Sequence, residues 1–157
     1  MVETTQRVVY VKPKILYIMT LDHTIRQAYI NTLLDGGVTL LADKTANPTE
    51  GYIVGGVTEP TTMYAEVDGS AYPDVSAHFE GFKKLWHKYD LKLNESISLL
   101  EPYHIPEAMG IGTWIHEGEI YFDLVQHLYS LDGATDIAKQ RGEIAIYDCK
   151  NQKDILL

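Results

Sequence analysis

The hydrophobic residues between positions 73 and 89 recur at helical spacing, and this is the clearest pattern in the chain. Intervals of three and four residues place them along one side of a helix. Pro73 suits a first helical turn, and lysines gather toward the C-terminal half, where the helix dipole favours positive charge. The pattern predicts a helix over residues 73–89 with one largely aromatic face that packs against a sheet and forms part of the core. The residues of this face are Val75, Phe79, Phe82, Trp86 and Tyr89.

The N-terminal part of the chain combines strand-like and helix-like patterns. Residues 7–12 and 14–19 are rich in β-branched and aromatic side chains, and Pro13 separates them. They predict one bent strand or two short strands, because proline interrupts a strand. Apolar residues at helical spacing over residues 21–34, ended by Gly36 and Gly37, predict a helix. The alternative is a hairpin arm that turns at the two glycines.

The middle of the chain predicts short strands at residues 38–42, 52–57 and 62–67, separated by turn-forming clusters. In the last of these, Met63 alternates with Tyr64 and Glu66, which indicates one buried and one solvated face. Gly55 and Gly56 lie inside the second strand, where glycine typically marks a bulge or a close backbone contact. Residues 91–104 have no clean period, and within them 96–100 are interpreted as a strand or a covering loop.

The C-terminal third predicts a strand–strand–helix–strand unit. Residues 112–116 and 119–125 form a hairpin around the turn Glu117-Gly118. Ser130 is positioned to cap a helix over residues 131–141, and Gly142 to end it. Residues 143–148 are the last predicted strand, and residues 151–155 turn back along it.

Together these elements predict one α+β domain over residues 1–157, with a mostly antiparallel sheet, two or three helices and the C-terminal ββαβ unit. The length and the 45% apolar content suit such a domain. Neither a signal-peptide core nor a membrane-length apolar run is found, so we expect no membrane partner. Because Cys149 is the one cysteine, no internal disulfide is encoded, and we expect a cytoplasmic location.

The charge balance bears on the choice of partner. There are 22 acidic and 13 basic residues, a net charge of −9, and the acids are scattered. Such a chain is repelled by phosphate backbones and has no basic face, so we expect no direct nucleic-acid binding.

The chain lacks the common catalytic motifs. GxGxxG, GxxxxGK[ST], HExxH and GxSxG are all missing. We therefore expect no cofactor or metal and assign no catalytic residue. If the strand ends converge, a small hydrolase or nuclease is the alternative, and its reacting groups would be His116, Glu117, Asp123 and His127.

The predicted hairpin carries the best candidate for a binding surface. Tyr121 and Asp123 share one face of their strand, and Trp114 and His116 share one face of the other. Depending on register, this face presents aromatics that stack a base or anchor a partner protein, or it lies under a helix. An excess of tyrosine, eleven against three phenylalanines, also favours a binding or oligomeric protein. The predicted binding residues are Trp114, His116, Tyr121, Asp123, Tyr64 and Glu66.

Residues 112–155 resemble the C-terminal portion of small bacteriophage accessory proteins. The resemblance rests on YFDLVQHLYSLDGATDIA, residues 121–138, and on KQRGEIAIYD, residues 139–148. In those proteins a short hairpin, a helix of the AIxxGRExxQ kind and an IAIYD or IAIFD strand recur. Arg141-Gly142-Glu143 departs from the usual residues before that strand. The matching features are structural, and the resemblance implies a phage origin more than an activity.

The leading functional hypothesis is a phage-type accessory protein in the host cytoplasm. It would bind and inhibit a host protein, such as a defence protein, or sequester a small nucleotide ligand. The hydrolase described above is one alternative. Another is a structural homo-oligomer or virion component.

Overall fold

The computed structural model describes the backbone of residues 13–100 and 108–157, and the side chains of residues 21–97 and 108–157. The strand predicted at residues 7–12 lies outside the described residues. The helices of the described part are α1 (Pro13–Asp35), α2 (Val75–Leu100) and α3 (Leu131–Gln140). Its strands are β1 (Gly37–Leu41), β2 (Tyr52–Val54), β3 (Thr61–Tyr64), β4 (Met109–His116), β5 (Glu119–Leu128), β6 (Ala145–Asp148) and β7 (Lys153–Leu156). The predicted α+β class and the ββαβ order are confirmed.

The described strands form one antiparallel sheet in the order β1-β4-β5-β2-β6-β7. The long strand β5 is its centre, because β4 pairs along one side and two short strands share the other. β3 pairs with the first half of β5, from Glu119 to Phe122, and β2 pairs with the end, from Gln126 to Leu128. Residues 55–60 leave the sheet between these two strands, opposite residues 123–125 of β5.

The three described helices pack on one face of this sheet. The main core joins α1 and α2 to Ile120, Phe122 and Leu124 of β5. A second cluster joins α3 to Leu128, on the same face of β5 by alternation. The opposite face is called the far face below, and on β5 it carries the odd-numbered residues.

Several predicted elements differ from the observed ones. The strand predicted at residues 14–19 is wrong, because this segment is part of α1, with Pro13 in a first turn that tolerates it. The strand or loop predicted at 96–100 is also wrong, because α2 continues through Leu100. Leu93 is buried and Ile97 packs against the core, so the stripe of α2 extends by two more turns. At its other end, Val75 is 64% exposed rather than core.

The local signals of the C-terminal third are confirmed. Glu117 and Gly118 both have positive φ, 49° and 79°, as a type I′ hairpin turn requires. The Ser130 hydroxyl accepts a hydrogen bond from the Gly133 N–H at 3.1 Å and caps α3. The helix predicted at residues 21–34 is also confirmed, and Gly36, with φ of 85°, follows its last residue.

Candidate functional site

The hairpin of β4 and β5 stacks two aromatic side chains on the far face. The turn fixes a register in which Trp114 lies opposite Tyr121. Their rings are nearly parallel, with centroids 5.4 Å apart and an interplanar angle of 9°. Trp114 is 37% exposed despite its size, so the pair presents a rigid, flat apolar area to solvent.

β3 extends this area across a third strand. Tyr64 lies opposite Glu119 and is 55% exposed, and Thr62 lies opposite Tyr121. The His116 ring lies 6.3 Å from the Tyr121 ring between centroids. Adjacent rows of the far face thus bring together four side chains that we call the aromatic surface: Tyr64, Trp114, His116 and Tyr121.

Buried hydrogen bonds hold β3 in place beneath Tyr64. The ring of His78, which is 1% exposed, donates from Nε2 to the Tyr64 carbonyl at 2.8 Å. Its Nδ1 accepts from the Tyr29 hydroxyl at 2.7 Å, so α1 and α2 both fix this strand. At the end of β3, the Ala65 N–H donates to the Gly118 carbonyl at 2.9 Å, which brings Glu66 close to the hairpin turn.

The charge around the aromatic surface is negative. None of the strands β1, β3, β4 and β5 contains a lysine or arginine. Glu66 and Glu117 are exposed, and Glu119 lies half-buried between Tyr64 and His116. The surface therefore favours positively charged partners and disfavours phosphate.

Asp123 does not join this surface. It follows Tyr121 on the same face of β5 but is only 2% exposed. Its carboxyl accepts hydrogen bonds from the Gly56 N–H at 2.7 Å and the Thr58 hydroxyl at 3.3 Å. Asp123 thus fills the interruption between β2 and β3, where β5 has no strand partner on the side away from β4.

A second carboxylate and an arginine complete the surroundings of Asp123. A Cβ atom placed on Gly55 would lie 2.9 Å from Glu143 Oε1 and 3.0 Å from Asp123 Oδ2, so a larger residue there would require these side chains to shift. Both oxygens lie close to that one point, so they are within about 6 Å of each other, where like charges interact. Arg141 donates to the Gly55 carbonyl at 3.2 Å and to Gln126 Oε1 at 2.7 Å.

Burial raises the pKa of Asp123 to about 6, and the Glu143 charge acts in the same direction. The hydrogen bond from Gly56 opposes both effects by stabilising the carboxylate. Burial also lowers the pKa of Arg141, against the attraction of the two carboxylates. Two carboxyl groups with different environments are typical of acid–base catalysis. Here, however, Asp123 is buried and bonded to the loop of residues 55–60, so the arrangement closes the sheet interruption.

The residues of the predicted hydrolase do not share one centre. Glu117 Oε1 lies 3.5 Å from His116 Nε2 at the hairpin turn. Gly112, the partner of Asp123, is four residues from His116, about 14 Å along a strand. His127 lies a further four residues along β5 and bonds the Glu50 carbonyl. The described residues contain no group of three His, Cys, Asp or Glu side chains positioned to hold a metal ion.

Cys149 is not an activated nucleophile. Its side chain is buried, and burial together with the Asp148 charge raises the pKa of the thiol to about 11. A thiol with that pKa remains protonated and unreactive at neutral pH.

Searches of protein-family models, curated proteins and solved structures found no significant match to this chain. Among the described helices, none combines the length and apolar character that crossing a bilayer requires.

Sequence patterns predicted the hairpin and the residues that share a face of each strand, because turn chemistry and alternation are local, but the pairing of Trp114 with Tyr121 depended on the register. The grouping of Asp123 with Glu143 and Arg141 was missed, since those residues come from separate elements. The one available signal was the glycine pair inside a predicted strand. It indicated close backbone contact but not the carboxylates that make it.

Proposed function

We propose that this chain is a bacteriophage-type accessory protein that binds a host protein through its aromatic surface and inhibits it. The single observation that carries the proposal is the stacked Trp114–Tyr121 pair, exposed on the sheet face opposite the helices. Large rigid aromatics that remain exposed in a folded monomer are typical of protein interfaces. The phage origin and the host partner rest on the resemblance of residues 112–155.

The chemistry of the surface selects a partner segment that carries lysine or arginine. A cation over the face of Trp114 or Tyr64 is attracted by the ring, and the attraction strengthens as water is excluded. Glu66 and Glu117 supply complementary charge at the edge of the same area. A nucleotide ligand fits this surface less well, because its phosphates would face these carboxylates.

Affinity capture with matched baits tests this proposal. Wild-type protein and the variants Trp114→Ala and Tyr147→Ala are used to capture partners from a bacterial host lysate. Tyr147 is a suitable control because it is an aromatic residue on another strand, 38% exposed against 37% for Trp114. A captured protein is then produced in pure form and its affinity is measured by calorimetry. We expect Trp114→Ala to weaken binding by more than about tenfold and Tyr147→Ala to have little effect.

Charge reversal tests the chemistry of the partner. The pair Glu66→Lys and Glu117→Lys should weaken the same complex and reduce its dependence on salt, whereas Glu95→Lys on α2 should not. Equal binding by wild type and Trp114→Ala would contradict the proposal, provided both melt at the same temperature. A captured partner whose binding surface lacks basic residues would also contradict the proposal. The same holds if the captured ligand is a nucleotide and its binding is lost in Trp114→Ala.

A further inference from the structure

A cavity lies on the far face at the opposite end of β5 from the aromatic surface. Its volume is about 530 Å³, within the range of small-ligand sites. His127 in its lining is six residues from Tyr121, about 20 Å along the strand. Apolar lining comes from Leu41 and Pro48, and the polar and aromatic lining includes Asp43, Thr45, Glu50, His127 and Tyr129.

His127 lines this cavity and has one ring nitrogen without a described hydrogen-bond partner. The side chain is 4% exposed, and Nε2 lies 2.7 Å from the Glu50 carbonyl oxygen. A carbonyl only accepts, so Nε2 carries the hydrogen and, in the neutral ring, Nδ1 has a free lone pair. Nδ1 has no partner among the described residues, and no fully enclosed side-chain nitrogen or oxygen of those residues is unsatisfied. Nδ1 is therefore not fully enclosed, and because His127 lines the cavity, we infer that this nitrogen is reached from it.

The remaining polar groups of the cavity add negative charge and an aromatic wall. The Asp43 carboxylate accepts a hydrogen bond from the Thr45 N–H at 2.9 Å, which helps to keep the pKa of Asp43 below its usual range. Glu50 is exposed at the rim. The Tyr129 ring packs edge-on against His127 with centroids 4.8 Å apart, and 71% of Tyr129 remains exposed.

We propose that this cavity binds a small organic cation with N–H donors, an amine or a guanidinium group. Its nitrogen hydrogens would bond His127 Nδ1 and a rim carboxylate, and its charge would be balanced by Asp43 and Glu50. The face of Tyr129 would cover the carbon chain. Phosphate-bearing ligands are disfavoured by the same two carboxylates. The site is independent of the aromatic surface, so either can exist without the other.

Calorimetric titration with agmatine, which has a guanidinium and an amine on one short chain, tests the site. We expect saturable binding at millimolar concentration or below. Glu50→Gln and Asp43→Asn should each weaken it about tenfold, since each removes one charge-assisted contact. The asparagine at position 43 retains an oxygen for the Thr45 N–H, so the loop is preserved. Glu95→Gln, the same change at an exposed α2 residue with no described contact, should bind as the wild type does.

Two further titrations identify the source of the cation and the charge preference. If an acetylated Gly-Arg-Gly amide binds more tightly than agmatine, the site is assigned to an arginine of a protein partner. If agmatine binds more tightly, the site is assigned to a free metabolite. AMP should not bind. The proposal is overturned if neither cation binds saturably, if Glu50→Gln and Asp43→Asn bind as tightly as wild type, or if AMP competes. None of these outcomes alters the Trp114-dependent capture, so the two proposals fail separately.

Discussion

At the residue scale, the buried carboxyl of Asp123 makes stability depend on pH. Its pKa in the folded chain is about 6, above the ordinary value of 3.8, so the folded state holds the proton more tightly than the unfolded state. The resulting contribution to stability is fully present below pH about 4 and is lost as pH rises through about 6. At neutral pH the ionised Asp123 therefore opposes folding, by about 1–3 kcal/mol at this size of shift.

Asp123→Asn is expected to raise the unfolding free energy at neutral pH by about 1–3 kcal/mol and to flatten its dependence on pH between about 4 and 6. The amide oxygen can replace Oδ2 and accept from the Gly56 N–H, and its nitrogen then faces the Thr58 hydroxyl, whose oxygen can accept a hydrogen bond. Urea unfolding at several pH values measures both effects. Asp136→Asn, on an exposed position of α3, serves as the control. Destabilisation at neutral pH would mean that the bond from Gly56 depends on a full negative charge.

At the scale of the element, the second half of α2 contributes to the core. Leu93 is 5% exposed and belongs to the main core, whereas Leu91, two residues earlier, is 68% exposed. Leu93→Ala should lower the unfolding free energy by about 2–5 kcal/mol, because it leaves a cavity in packed surroundings. Leu91→Ala should change it by less than about 0.5 kcal/mol. Denaturant unfolding compares the two, and similar effects would contradict this placement of the helix.

The elements predicted correctly are those with local signals. The hairpin turn at Glu117 and the Ser130 cap depend on a few adjacent residues, and both were found. The extension of α2 was missed although Leu93 and Ile97 continue the spacing of Tyr89 by four residues each. The polar residues between them obscured the period. The strand predicted at residues 14–19 followed intrinsic β-propensity, which is a weak guide beside the longer helix that contains the segment.

The structure separates Asp123 from the other predicted binding residues because of a tertiary contact that the sequence does not reveal. Alternation correctly placed Tyr121 and Asp123 on one face, but it carries no information on what covers each residue. The loop of residues 55–60 covers Asp123 and leaves Tyr121 half-buried and accessible. The cavity beside His127 also depends on Asp43 and Glu50, which lie more than 70 residues before His127 in the sequence and share no motif with it.

At the scale of the molecule, one sheet joins the main core, the second cluster and a small third cluster of Ile53, Val125 and Cys149, so we expect a single cooperative unfolding transition. Trp86, 1% exposed in the main core, reports on that cluster once Trp114→Phe removes the other tryptophan. Its fluorescence transition in urea should coincide with the loss of far-ultraviolet circular dichroism. Separate midpoints would indicate that the C-terminal ββαβ unit unfolds on its own.

The sheet order also constrains how the protein is made. The early strands β1, β2 and β3 never pair with one another; each requires β4, β5 or β6. On the ribosome, therefore, these strands have no partners until residues beyond 109 have emerged. Until then α1 and α2 have no sheet to pack against, and their apolar stripes remain open to chaperones and to aggregation. Completion of β5 is the event that allows the nascent chain to fold, so slow translation before that strand would prolong its most vulnerable period.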